Sequence, residues 1–299
     1  MSYRPEIFSI IDENKWKSYL DEYGFVVLGN ILDNETYREL FKQFYIDWNT
    51  ITPNFNFHDK NTWTETNSPI NWNIGMITSY GSAHCKFQWR LRTNDNIIDI
   101  WKRVHNTDEL VVSYDGFSFF CSPEQKPNIW LHIDQNPKDN LYSIQGAYNF
   151  LPVNEDDAGF IVVPGSHKTF IVDVPKEKKF IPVEQDDIHL DYAVKLIIPQ
   201  NCFVLWNSKT IHANTGMSNN KDIELNRITS YISYFPKKQR TKDIYQERLY
   251  GYFYAENCSH YAIAHHIKYN NDNLINNFKF ITPELNENDE IPERILNLI

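Results

Sequence analysis

The sequence is poor in cysteine and contains no long apolar run. Its four cysteines, Cys85, Cys121, Cys202 and Cys258, lie far apart and form no C-x-x-C pair. This spacing favours reduced thiols in a cytosolic protein over a disulfide framework or a zinc site. No stretch approaches the roughly 18 uncharged apolar residues of a membrane span, and residues 1–10 lack the apolar core of a signal peptide. We therefore expect a cytoplasmic protein with no membrane partner.

Basic residues are outnumbered by acidic ones, and the chain of 299 residues carries a formal net charge of −10. Proteins that bind the nucleic-acid backbone normally present a basic surface, so we expect no nucleic-acid partner. The oligomeric state is left open. Aromatic residues make up 15% of the chain, which suits a β-rich core.

Short strand patterns dominate the middle of the chain. Helical patterns cover residues 13–23, the segment after Asp33 and residues 95–104, while residues 50–80 form a long irregular segment. Strand patterns separated by turn residues cover 24–28, 110–121, 143–153, 159–163, 202–206 and 227–235, with a turn or bulge at Asp115 and Gly116. Because no helices alternate with the later strands, the pattern predicts a mainly β protein of sandwich or jelly-roll type.

His132 and Asp134, followed 80 residues later by His212, form the pattern with the most chemical content. Residues two apart in extended chain point to the same face of a strand, so His132 and Asp134 lie together. Two imidazoles and one carboxylate occupy one face of an iron(II) ion and leave three positions open, as in non-haem iron oxygenases. The pattern therefore predicts a metal site with room for a cosubstrate and dioxygen.

A second His-x-Asp pair, His189 and Asp191, competes with this interpretation. It begins only 23 residues before His212 and lies in a charged stretch that is typical of a loop. A single pair of this kind also arises by chance in a chain with ten histidines and 39 acidic residues. We interpret His189 as a solvated surface residue.

Arg227 is the candidate for holding a carboxylate of the cosubstrate. It begins an alternation of Arg227, Thr229 and Tyr231 with apolar Ile228 and Ile232, which suits a strand lining a cavity. A guanidinium grips a carboxylate with two parallel hydrogen bonds, which a lysine does not. The gap of 15 residues from His212 to Arg227 requires a loop around residues 217–222, and Arg240 is the alternative if that loop does not form.

Four segments of the chain contain motifs that recur together in one protein family. They are residues 21–28, 130–137 and 156–168, and residues 204–206 leading to His212 and Arg227. The second contains the His-x-Asp pair, and the third ends in a Pro-Gly-Ser-His turn. Together, over most of the chain, they resemble the phytanoyl-CoA dioxygenase-like family of Fe(II)/2-oxoglutarate-dependent oxygenases. The resemblance implies a double-stranded β-helix, a jelly-roll or cupin-type barrel, with flanking N-terminal helices and a partly helical C-terminal segment.

The resemblance also implies a domain organisation and a set of site residues. A single domain over residues 1–299 would comprise N-terminal helices, a first strand and an aromatic loop region (1–108), the β-helix core with the metal site (109–236) and a C-terminal extension with an Asn-rich stretch near 270–277 (237–299). His132, Asp134 and His212 are implied as catalytic ligands of Fe(II). Arg227, Tyr148 and Asn214 are implied to contact 2-oxoglutarate, although Tyr148 is equally compatible with core packing.

Asp134 also bears on the type of reaction. Related halogenases lack the carboxylate ligand, so its presence predicts hydroxylation or desaturation of a small molecule, using O2 and releasing succinate and CO2. Two alternatives stay open at this point. One is a cupin-fold metal-dependent enzyme of another class that uses the same three ligands without 2-oxoglutarate, and the other is a non-catalytic binding barrel.

Overall fold

The computed structural model describes residues 1–126, 130–265 and 277–299. In chain order the strands are β1 (Ser2–Tyr3), β2 (Ile7–Phe8), β3 (Phe25–Leu28), β4 (Met76–Ile77), β5 (Leu110–Val112), β6 (Phe117–Phe120), β7 (His132–Ile133), β8 (Ile144–Asn149), β9 (Gly159–Val162), β10 (Ile181–Pro182), β11 (Val194–Leu196), β12 (Cys202–Asn207), β13 (His212–Thr215), β14 (Arg227–Tyr231) and β15 (Tyr234–Pro236). The α-helices are α1 (Glu13–Tyr23), α2 (Asn34–Ile51), α3 (Lys86–Arg92), α4 (Asp95–His105), α5 (Ser166–Thr169), α6 (Lys242–Phe253) and α7 (Glu293–Leu296). Further 3₁₀ helices cover Lys60–Thr62, Glu65–Asn67, Ser82–His84, Ile188–Tyr192 and Lys237–Gln239.

The chain divides into two compact units. The first comprises Met1–Asn30, Trp72–Gly75 and Phe120–Ile228, and the second comprises Ile31–Asn71, Met76–Phe119 and Thr229–Ile299. The organisation as a single domain stays a prediction. The predicted Asn-rich stretch lies outside the described residues except for Asn277. Within the described ranges, no helix is both long enough and apolar enough to cross a membrane.

A six-stranded sheet in the first unit has one apolar face and one polar face. Its strand order is β1-β11-β9-β13-β7-β10. One face buries Leu131, Ile133, Ile161, Val163, Phe170, Ile181, Ile211 and Ala213 in one hydrophobic cluster. Because side chains alternate along a strand, His132 and His212 point to the opposite face. Burial of the apolar cluster on one face of the sheet therefore places both histidines on the opposite, polar face.

Four strands of a second sheet in this unit follow the order β2-β3-β12-β8. β12 is antiparallel to both of its neighbours, β3 and β8. The predicted strands at 24–28 and 202–206 are confirmed, whereas β8 is shorter than the predicted strand over 143–153. β14 begins beside the end of β8, where the Phe150 amide donates a hydrogen bond to the Ile228 carbonyl over 3.0 Å.

The second unit contains the helix predicted after Asp33, which is α2. Asp33 caps α2, since its carboxylate accepts hydrogen bonds from the Glu35 and Thr36 amides, each of 2.9 Å. Trp48, on the buried face of the helix, stacks on Phe119 with ring centroids 4.3 Å apart. The predicted helix over 95–104 is confirmed as α4, and α6 and α7 account for the partly helical C-terminal segment.

Two of the predicted strands are interrupted, and the second interruption was not expected. Between β5 and β6, a Cβ on Gly116 would lie 2.0 Å from the Ile77 carbonyl oxygen, so this break requires glycine. The predicted strand over 227–235 is wrong as a continuous element, because it ends at Tyr231 and β15 pairs with β5 in a separate two-stranded sheet. The Ser113 amide donates to the Ser233 carbonyl over 2.8 Å at this switch.

Candidate metal centre

The three predicted metal ligands lie together in the first unit. His212 and His132 are direct partners across the antiparallel pair β13 and β7, and Asp134 follows β7 at once. One ligand atom of each residue lies within 4.8 Å of the others. Both imidazoles are buried, and the Asp134 side chain is 16% exposed. In the part of the chain that the structure describes, this is the one group of three or more such side chains close enough to hold a metal ion.

Backbone carbonyls set the orientation of both imidazoles. His132 Nδ1 lies 2.8 Å from the Trp130 carbonyl oxygen, and His212 Nδ1 lies 2.9 Å from that of Thr210. Because a carbonyl only accepts, each Nδ1 carries the hydrogen, and in a neutral ring Nε2 keeps its lone pair. The two Nε2 atoms lie 3.5 and 3.3 Å from the carboxylate oxygens of Asp134.

This arrangement fits a bound cation. Burial, and secondarily the neighbouring His132, lowers the pKa of His212 below its ordinary value, so the ring is neutral near pH 7. A neutral imidazole lone pair that faces a carboxylate oxygen is repulsive unless a cation lies between the two acceptors. Carbonyl-anchored histidines with a converging carboxylate are the arrangement typical of transition-metal sites.

Gln145 on β8 orients the carboxylate of Asp134. Its Nε2 donates a hydrogen bond of 2.9 Å to Asp134 Oδ2, and the side chain is buried. The Asp134 amide donates to the Ser208 carbonyl over 2.9 Å, which fixes the backbone of the same residue. We did not predict Gln145 from the sequence, although the strand pattern over 143–153 would have offered it as an inward-facing polar residue.

Arg227 lies on the same polar side of the first unit and is 2% exposed. Its Nη1 donates to the Gly159 carbonyl over 3.0 Å and to Asn214 Oδ1 over 2.8 Å. Asn214 is two residues after His212 on β13, so the strand carries the predicted metal ligand and this partner of Arg227 on one face. The guanidinium also lies 5.9 Å from the ring centroid of Phe120. The structure thus brings Arg227 and Asn214 together, as the prediction of a common role requires.

Aromatic rings surround His212 and His132. Phe160 and Trp206 have ring centroids 5.7 and 5.4 Å from that of His212, and both are buried. Trp130 stacks on His132 at 4.3 Å, and Phe180, which is 47% exposed, lies 4.8 Å from the same ring. The centre is therefore enclosed by apolar surface on the His212 side and open to solvent beside Phe180.

Tyr148 does not share the face of β8 that carries Gln145, because the two residues are separated by an odd number of positions in the strand. Its hydroxyl donates to Asn201 Oδ1 over 2.9 Å, and its ring packs 4.9 Å from Phe150. These contacts agree with the core-packing interpretation, and a contact between Tyr148 and 2-oxoglutarate stays a prediction.

The alternative residues lie elsewhere. His189 Nδ1 is 2.7 Å from Asp187 Oδ1, and its side chain is 16% exposed, so the residue is only partly exposed to solvent. Arg240 belongs to the second unit, where its guanidinium lies 4.3 Å from the ring centroid of Tyr245. The loop around 217–222 does form between β13 and β14, which removes the reason for preferring Arg240.

The fold and site define a class, a mainly sheet protein with helices and mixed strand directions whose polar interior carries a two-histidine, one-carboxylate centre. The chain matches no protein-family model. It is 27% identical over 262 residues to the Ava biosynthesis cluster protein O of Aspergillus versicolor, covering 79% of this chain and 82% of that protein. It is 24% identical over 277 residues to a Dictyostelium discoideum protein described as a putative phytanoyl-CoA dioxygenase, covering 77% of each.

Solved structures share the fold at low sequence identity. The epimerase SnoN, in complex with Fe3+, alpha ketoglutarate and nogalamycin RO, has a TM-score of 0.51 and 13% identity over 76% of this chain and 84% of its own. EctD from S. alaskensis, with 2-oxoglutarate and 5-hydroxyectoine, has a TM-score of 0.54 and 14% identity over 81% of each chain. At these identities the solved structures show a shared fold alone, and the Dictyostelium relative carries the family description that the four motif segments resemble.

Proposed function

We propose that this protein is an Fe(II)- and 2-oxoglutarate-dependent dioxygenase built on a double-stranded β-helix. The observation that carries the proposal is the convergence of His132, Asp134 and His212 on one point, with Arg227 buried on the same polar side. A metal enzyme that uses no 2-oxo acid would need the three ligands but would have no evident use for a buried guanidinium on the same side. The similarity to one structure in complex with Fe3+ and alpha ketoglutarate, and to another with 2-oxoglutarate, supports the same choice.

His132, Asp134 and His212 would hold the iron, and Arg227 with Asn214 would hold the far carboxylate of 2-oxoglutarate. When bound, the iron and the 2-oxo acid would use dioxygen to oxidise the substrate, with release of succinate and carbon dioxide. Three protein ligands on one face of a metal ion would leave its other positions open for these small molecules. The hydrogen bonds from Arg227 to Gly159 and Asn214 preorganise the fork, so less side-chain entropy is lost when a carboxylate binds.

Several protein groups prepare the site before any ligand arrives. The Trp130 and Thr210 carbonyls keep both imidazoles with Nε2 toward the metal position, and Gln145 holds the Asp134 carboxylate. Phe160 and Trp206 exclude water from the His212 side, which strengthens the electrostatic attraction between Arg227 and a carboxylate.

The proposed reaction is hydroxylation of a small molecule. Asp134 occupies the position that a halide would need, and it is held by two hydrogen bonds, so halogenation is disfavoured. The half-exposed Phe180 beside His132 offers an apolar surface at the open side of the centre, which suits a substrate with an apolar portion. The relative from the Ava biosynthesis cluster and the EctD structure with 5-hydroxyectoine are consistent with a small-molecule substrate.

The deciding experiment is an anaerobic titration of the metal-free protein with iron(II) and then 2-oxoglutarate, monitored by the visible metal-to-ligand charge-transfer band. We expect the band in the wild type and none in His132→Ala. If iron binds and no band develops, the protein is a cupin-fold metal enzyme of another class. If the wild type binds no metal, a non-catalytic barrel replaces the oxygenase.

A further inference from the structure

The loop between β13 and β14 is anchored to the turn that precedes β9. Ser218 donates its amide hydrogen to the Asp156 carbonyl over 2.8 Å. Met217 packs with Phe120 and Ala158 in a small buried cluster. The extra residues between His212 and Arg227 therefore form an ordered connection with its own contacts.

A buried carboxylate lies at the centre of this connection. Asp157 Oδ1 accepts a hydrogen bond of 2.7 Å from Asn226 Nδ2 and lies 3.0 Å from Lys221 Nζ. Asp157 Oδ2 accepts from the amide and the side chain of Asn154, over 2.7 and 2.8 Å. Lys221 Nζ also lies 2.7 Å from Glu224 Oε1. We call Lys221, Glu224, Asn226 and Asp157 the clasp.

The charges of the clasp are well matched. Burial raises the pKa of the Asp157 carboxyl, but the hydrogen bonds from Asn154, Lys221 and Asn226 outweigh it and lower the pKa below its ordinary value. Hydrogen bonds to Glu224 and Asp157 raise the pKa of Lys221. Both groups are therefore charged near pH 7, and a charge-assisted contact to a carboxylate that is 5% exposed is stronger than one at the surface.

The clasp is continuous with the guanidinium of the proposed cosubstrate site. Asn226 immediately precedes Arg227, and its Oδ1 accepts a hydrogen bond of 2.7 Å from the Ala158 amide. The next residue, Gly159, supplies the carbonyl that accepts from Arg227 Nη1. Consecutive residues 157–159 therefore contact the consecutive residues 226 and 227. Lys221 contacts the first residue of that segment, Asp157, from the other side of the loop.

We propose that the clasp positions Arg227 for the far carboxylate of a 2-oxo diacid, with Lys221 as a positioning residue that acts through Asp157 and Asn226. The inference rests on the proposed function, because it concerns the same cosubstrate site. The ion pairs of Lys221 are with Asp157 and Glu224 and with none of the candidate metal ligands, so we expect its loss to leave the metal site intact.

The test is calorimetric titration of 2-oxoglutarate into Mn(II)-loaded protein under nitrogen, which measures binding without turnover. Lys221→Met keeps the length of the side chain and removes its charge, and Lys221→Arg restores the charge. Lys168→Met is the matched control, because Lys168 forms an exposed ion pair with Glu22 in the same unit. Mn(II) affinity and the thermal midpoint are measured for each variant.

We expect Lys221→Met to weaken 2-oxoglutarate binding by about tenfold, because a small misplacement of a binding group has a large effect on a site that depends on orientation. Mn(II) affinity should stay within about twofold, and Lys221→Arg should recover most of the loss. Lys168→Met should match the wild type.

Unchanged 2-oxoglutarate affinity in Lys221→Met overturns the clasp while leaving the proposed function in place. Equal losses of 2-oxoglutarate and Mn(II) affinity also overturn it, since they would show a structural role only. If the wild type itself fails to bind 2-oxoglutarate, the proposed function fails first, and that result is distinguishable because it does not depend on any clasp variant.

Discussion

At the scale of single residues, Asp134 depends on a neutral side chain for its orientation. Replacing Gln145 with methionine keeps its length and removes the donor to Asp134 Oδ2. Mutation of a residue that hydrogen-bonds a metal ligand typically lowers the metal affinity by about 10- to 100-fold, so we expect Mn(II) binding to weaken by a factor in this range. Calorimetric titration of Mn(II) measures the effect. Gln200→Met, at an exposed position of the same unit, is the control, and equal affinity in both variants would contradict the role of Gln145.

Arg227 provides the second prediction at this scale. Arg227→Met removes both hydrogen bonds of Nη1 and the charge itself. Truncating one partner of a buried charge pair costs about 2 kcal/mol or more of binding free energy, so the charge-transfer titration should require far more 2-oxoglutarate. Iron(II) binding should be retained. Arg4→Met, at a residue whose exposed side chain pairs with Glu155, should behave as the wild type, and normal 2-oxoglutarate binding by Arg227→Met would rule out the assignment.

At the scale of elements, the N-terminus of α2 predicts a dependence on pH. Hydrogen bonds from the Thr36 hydroxyl and amide lower the pKa of Asp33 below its ordinary value of 3.8. When the pKa of a carboxyl is lower in the folded state, its charge stabilises the fold at every pH above the unfolded-state pKa. This stabilisation is lost as the pH falls through the folded-state pKa. Asp33→Asn keeps an acceptor for the cap without titrating.

The thermal midpoint of the wild type should therefore fall relative to that of Asp33→Asn between about pH 5 and about pH 2. Asp12→Asn serves as the control, because Asp12 precedes α1 without any side-chain capping hydrogen bond. A constant difference between wild type and Asp33→Asn across this range would show that the Asp33 charge does not stabilise α2.

Local patterns predicted most elements, and the exceptions have physical causes. The alternation around His132 and Asp134 was sufficient to place them on one face, because strand geometry is local. The contact between Lys221 and Asp157 joins residues far apart in sequence and depends on the path of a loop, which no periodicity encodes. The strand after Arg227 changes sheets because of a pairing with β5 that the alternation does not reveal.

At the scale of the whole molecule, a metal that binds only the folded site must stabilise the fold. At a free concentration of about 100 times the dissociation constant, the stabilisation is about 2.7 kcal/mol. Mn(II) should therefore raise the thermal midpoint of the metal-free wild type, and a chelator should reverse the change. His212→Ala should show no such shift, and the same shift in both proteins would mean that Mn(II) binds elsewhere.

The carbonyl anchors of the two histidines have a consequence for sequence variation. Every amino acid has a backbone carbonyl, so the orientation of His132 and His212 does not depend on which side chains stand at positions 130 and 210. Substitutions there can alter the surroundings of the site, such as the Trp130 stack, while the imidazoles keep their tautomer. Substitution at position 130 should therefore change the surface beside His132 while leaving the orientation of both candidate metal ligands as it is.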